Sequence, residues 1–166
     1  MNKLTQYGHP FQTKALAALV TDRDFLQQSA DIVSPEYFDS DASKWIVRKT
    51  LTYFSEYRTT PTMEVFKVET EKIQNEVQAV AVKEQLKETY KSSQVKDLAY
   101  IKDTFLDFCK NQTLKNALIR SVDLLELGDY DDIRNLIDKA LKAGVERDLG
   151  HEYIAEVEDR YKEESR

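Results

Sequence analysis

The stretch from Leu118 to Leu141, LIRSVDLLELGDYDDIRNLIDKAL, decides the fold. Leu118, Val122 and Leu125 recur at helical spacing before Gly128, and Ile133, Leu136, Ile137, Ala140 and Leu141 do so after it. Gly128 stands where a left-handed C-cap is wanted. Asp129, Asp131 and Asp132 follow where an N-cap and a helix dipole favour negative charge. The spacing therefore predicts an antiparallel helical hairpin, stopped at Gly144. On this reading Leu118, Val122 and Leu125 meet the return helix, while Leu124 and Leu127 lie off that stripe. Two short helices cannot bury so much apolar surface between themselves, and a second copy of the same hairpin is the economical cover. Leu118, Val122, Leu124, Leu125, Leu127, Ile133, Leu136, Ile137 and Leu141 are thus the expected self-association residues.

Working outward, the composition agrees with a helical protein. The 166 residues are 41% hydrophobic and 33% charged, with four glycines and three prolines, so polar residues sit inside periodic segments and not in linkers. Pro10 to Ala30 reads as two short helices, with a Phe11, Leu16, Leu19, Val20 stripe on the first and Asp22 as N-cap of the second. Ser40 or Asp41 caps an aromatic-rich helix carrying Trp45, Ile46, Tyr53, Phe54 and Tyr57, read as core. Thr60 before Pro61, or alternatively Thr62, opens the next helix, with Met63, Phe66 and Ile73 inward. The run from Asn75 to Tyr90 offers Val77, Val80, Ala81 and Leu86 as a stripe, and KSSQ breaks the pattern. A long helix from Val95 to Leu127 follows, with Leu98, Ile101, Phe105 and Phe108 on one face of its first half. The expected class is all-α: a small helical bundle over 1–93, the hairpin over 94–144, and a short amphipathic linker helix within 145–166. In that last segment Tyr153, Ile154, Val157 and Tyr161 share a face suited to docking on a neighbour.

The chain offers little to catalysis. Its glycines, at 8, 128, 144 and 150, allow no phosphate-cradling loop, so neither a nucleotide nor another cofactor is expected to bind. His9 and His151 form no metal motif. DSDAS at 39–43 lacks the glycine and glutamate of a calcium loop, and Cys109, the single cysteine, reads as a buried helix residue. A net charge of −6 and carboxylates interleaved with the Lys83, Lys87, Lys91, Lys96, Lys102 row argue against direct nucleic-acid binding, which needs clustered cations. A single-strand binder using the aromatic helix and that row is the alternative. No membrane span or signal segment is apparent, so a cytoplasmic location is expected.

The order of elements resembles the N-terminal domain of DnaB-type replicative hexameric DNA helicases. The resemblance rests on ALAALVTDRDFLQQSADIVSPEYFDSDASKWIVRKTLTYFSEYRTTPT, with its small-and-leucine helix from Ala15 to Leu19, acidic turn at 22–24, pair of short helices over Phe25 to Ile32, Pro35-Glu36-Tyr37-Phe38 turn, aromatic helix from Trp45 to Tyr57, and Pro61. YDDIRNLIDKAL followed by GHEYIAEVEDRY looks like the helicases of large tailed bacteriophages. The resemblance implies a helical globule plus a hairpin, hairpins pairing into dimers and three dimers into a hexameric collar. It further implies docking of primase or a helicase loader on the collar, only indirect contact with DNA, and residence in the bacterial cytoplasm. The RecA-like motor domain, where ATP and magnesium would act, is absent from this sequence, so helicase activity does not carry over.

Overall fold

The computed structural model describes residues 3–94 and 96–143, and among them it contains seven helices and no strand. These are α1 (His9–Thr21), α2 (Arg23–Ser29), α3 (Asp41–Tyr57), α4 (Met63–Glu71), α5 (Glu76–Lys91), α6 (Leu98–Glu126) and α7 (Tyr130–Lys142), with short 3-10 turns at Leu4–Tyr7, Pro35–Tyr37 and Ser92–Gln94. The all-α expectation holds. The chain divides into two compact units, Met1–Leu106 and Asp107–Arg166, so the division falls inside α6 and not at the KSSQ break.

The helix starts follow from side-chain caps that satisfy otherwise orphaned backbone donors. Asp22 accepts from the Phe25 N–H of α2, Ser40 from Ser43 in α3, Thr62 from Val65 in α4, and Asn75 from Gln78 in α5. The two open choices of cap are thereby resolved to Ser40 and Thr62. α3 ends on Arg58, the one non-glycine residue with positive φ (60°) among the described residues, and the Arg23 guanidinium donates to the Arg58 carbonyl at 2.8 Å. That bond fixes the α3–α4 elbow.

In the first unit α1 is the central helix. Phe11, Gln12 and Thr13 and all of Ala15 to Val20 are buried, so α1 has no single stripe, and the Phe11, Leu16, Leu19, Val20 face was only part of its contact surface. α2, α3 and α5 all pack on it. α3 buries Trp45, Ile46, Val47, Thr50 and Phe54; Tyr53 is half-buried and Tyr57 stands in solvent, so the aromatic helix is core on one side only.

α5 corrects a sequence expectation. Val77, Val80 and Ala81 are exposed, Val77 at 81%, and the buried positions are Val82, Gln85, Leu86 and Thr89. The inward face carries two polar residues because a polar network awaits them. Gln85 Nε2 donates to Thr13 Oγ1 of α1 at 3.3 Å and to Thr89 Oγ1 at 3.4 Å, and the Thr89 hydroxyl donates to the Gln85 carbonyl. Apolar counting alone selects the wrong face. Likewise Phe66 of α4 is buried, but Met63 is exposed and Ile73 half-buried.

The start of α6 closes this core. Ile101 and Phe105 are buried, and the Phe105 ring lies 6.0 Å from that of Phe25 and 5.9 Å from that of Phe38. Lys102 forms an ion pair with Asp22 at 2.5 Å, with its ammonium also over the Phe25 ring. Burial pulls the Asp22 carboxyl upward, but the Lys102 hydrogen bond and charge and the Phe25 N–H outweigh it and hold it below the ordinary carboxylate value. Asp22 therefore contributes stability above the unfolded carboxyl pKa of about 3.9, and that contribution is lost as pH falls through its lower folded value. Asp22→Ala is expected to cost about 1–2 kcal/mol of unfolding free energy. Asp22→Asn, which keeps the cap, should lose less and show a shallower fall in stability below pH of about 4; urea titrations at several pH values measure both.

Candidate assembly surface on the helical hairpin

In the second unit the later part of α6 and α7 are joined through Leu127, Gly128 and Asp129. Gly128 adopts φ 72°, Asp129 N–H donates to the Leu124 carbonyl and Gly128 N–H to the Leu125 carbonyl, both at 3.0 Å. This is the paired bonding of a Schellman C-cap, which needs a left-handed residue at that point. A Cβ at Gly128 would meet nothing within 4 Å, so its requirement is conformational and not steric.

Asp129 stands at the N-cap of α7 but makes no capping bond from its side chain. The Asp129 carboxyl lies close to that of Asp132, and this proximity, with the charge of Asp131, raises the Asp132 pKa. The hairpin tip thus concentrates Asp123, Glu126, Asp129, Asp131 and Asp132, with no Lys or Arg between 121 and 133.

Burial separates the hairpin into a shielded and an open face. On α6 the shielded positions are Ala117, buried, and Ser121 and Leu124, half-buried; on α7 they are Ile133, Leu136, Ile137 and Ala140, half-buried. These mark the faces the two helices turn toward each other. Leu118, Val122 and Leu125 are 53%, 57% and 58% exposed and share one side of α6, and Ile119, the turn residue Leu127 and, on α7, Tyr130 and Leu141 are also exposed. The expected assignment of faces on α6 is therefore exchanged: Leu124 is drawn in, while the Leu118, Val122, Leu125 stripe faces out. The cause is side-chain size. Ala117 and Ser121, whose hydroxyl donates back to the Ala117 carbonyl, leave room for close approach, whereas a search for large apolar residues follows the other stripe. Of the expected self-association residues, Ile133, Leu136 and Ile137 belong to the shielded set and Leu127 and Leu141 to the open one. Ile119 and Tyr130 are open apolar residues that the sequence reading passed over.

Earlier in α6, Phe108 and Cys109 are buried, and burial pushes the Cys109 thiol far above its ordinary value, leaving a neutral packing group. Among the described residues no group of three His, Cys, Asp or Glu could hold a metal ion, and no helix is long and apolar enough to cross a membrane. The lysine row is partly neutralised in place, Lys83 by Glu71 and Lys102 by Asp22. Tyr153, Ile154, Val157 and Tyr161, the expected docking face, lie outside the described residues. No family model, curated protein or solved structure matches this chain.

Gly128→Ala should destabilise the hairpin by roughly 1–2 kcal/mol, because a Cβ disfavours the left-handed conformation even in open space. Hydrogen exchange of the α7 amides is the direct measurement, and α3 amides serve as the unaffected reference.

Proposed function

We propose that this chain is a non-catalytic assembly module that pairs with a second copy of itself through the open face of the hairpin. The observation that carries the reading is the set Leu118, Ile119, Val122 and Leu125, each more than half exposed on α6, with Leu127 exposed in the turn that follows. Surfaces of this kind in soluble proteins mark interaction sites. Charge favours a copy of the same hairpin as the cover. The tip is acidic, whereas Lys110, Lys115, Lys139 and Lys142 lie away from it and Arg120 and Arg134 between. A two-fold, tip-to-base pairing lays the acidic end of each hairpin along the basic end of the other; tip-to-tip pairing would set like charges together. Finishing the burial of these side chains in both copies is worth on the order of 10 kcal/mol gross, similar to the cost of association, so the pair should form and dissociate with concentration.

Together with the resemblance of the element order to that of DnaB-type helicases, this supports a more specific role: an N-terminal collar domain for DNA replication in a phage-encoded helicase. Hairpin dimers would build the hexameric ring, and primase or a loader would dock on the collar. ATP and magnesium belong to the motor domain of such an enzyme, and the residues here supply subunit association alone.

Val122→Asp with Leu125→Asp alters only exposed positions, so helix content should survive while association is lost. Sedimentation equilibrium should show a mass rising with concentration for the unmodified chain, weakening at high salt, and a single-chain mass for the double variant. Identical masses for both at high concentration would refute the pairing.

A further inference from the structure

The first unit has a second surface, independent of the hairpin. Along one side of α3, Lys49, Thr52, Tyr53, Glu56 and Tyr57 face Pro61 and the α4 residues Glu64, Val65, Phe66, Val68 and Glu69 across a groove of about 450 Å³. That volume lies in the range of ligand-binding clefts. The α3–α4 elbow carries the Arg23 bond to the Arg58 carbonyl at 2.8 Å. Its wall is aromatic: the Tyr53 and Tyr57 rings lie 4.6 Å apart, and Tyr57 is 62% exposed. Val68 and, beside the groove, Met63 add exposed apolar surface.

The rim sets the chemistry of the occupant. Lys49, its one cation, is taken up by Glu69 at 3.5 Å and by the Trp45 ring. Glu56 and Glu64 have no ion-pair partner among the described residues. Two uncompensated carboxylates beside exposed tyrosine rings match a planar cation that can stack and pair at once, which describes an arginine guanidinium better than a lysine ammonium. Val65 and Val68 suit an apolar side chain next to it. The 150–166 segment of this chain is a poor match, since Glu152, Glu156, Glu158, Asp159, Glu163 and Glu164 outnumber its cations and repeat the sign of the rim.

We propose that the α3–α4 groove is a docking site for a segment of another protein in which arginine is flanked by apolar residues. Selection of a random-sequence peptide library on the immobilised full chain tests this directly. The expected outcome is enrichment of peptides with arginine beside leucine or phenylalanine. Their affinity should fall about tenfold or more for Glu56→Lys with Glu64→Lys, and comparably for Tyr57→Ser. The same peptides should bind the Val122→Asp, Leu125→Asp chain normally, which separates this site from hairpin assembly. A selection without arginine enrichment, peptides that bind the Glu56→Lys, Glu64→Lys chain equally well, or displacement of the peptides by the 150–166 peptide would overturn it. Circular dichroism of the exposed-site variants excludes unfolding as the cause of lost binding.

Discussion

The arrangement of the first unit depends on α1 having almost no water-facing side between Phe11 and Val20. A helix surrounded in this way must be thin enough for neighbours to approach and must satisfy every polar group it carries inward. Ala15, Ala17 and Ala18 meet the first condition. The second is met by two long-range partnerships. Gln12 donates to the Asp39 carboxylate at 2.8 Å while the Asp39 N–H donates back to Gln12 at 3.0 Å, and Gln85 of α5 donates to Thr13. The Thr5 hydroxyl and the Gln12 amide also hold the Asp39 carboxyl below its ordinary value. These polar bonds add specificity to apolar contact that is not directional by itself. They fix where the segment before α3 and where α5 can sit.

Helix boundaries were largely legible because they are written in local chemistry. Asp22, Ser40, Thr62, Asn75 and Gly128 each act within a few residues of themselves. Which face of a helix turns inward is decided elsewhere in the chain. On α5 the partner is Thr13, far away in sequence, and it calls for Gln85 where periodicity offers Val77 and Val80. On the hairpin, Ala117 and Ser121 are withdrawn because they are small, a property that hydrophobic patterning ignores. The groove was hidden for a related reason. Tyr53, Glu56 and Tyr57 share a helix side in the sequence, but only the α3–α4 elbow shows that Pro61 and Phe66 lie opposite and that Tyr57 is left in water.

The two units differ in how completely they satisfy themselves. The first hides Phe38, Phe66, Phe105 and Ile46 almost entirely and spends its exposed apolar surface in a few places. Among its described residues the second is two helices and a turn, and such a pair has one inner face per helix. Once Ala117, Ser121 and Leu124 occupy that face, the rest of a leucine-rich helix has nowhere to go within the hairpin. The open stripe of Leu118, Val122 and Leu125 is therefore a geometric outcome of pairing through small residues.

The Asp22–Lys102 pair bears on the order in which structure appears. α2 is seven residues long, too short to persist alone, and its capping carboxylate is anchored by a cation eighty positions later in the chain. Loop closure over that span is slow compared with turn formation, so the contacts of α2 with α1 and its local cap can form before the Lys102 pair. During stepwise synthesis from the N-terminus, Phe25 therefore emerges well before Phe105, whose ring lies 6.0 Å from it in the folded chain.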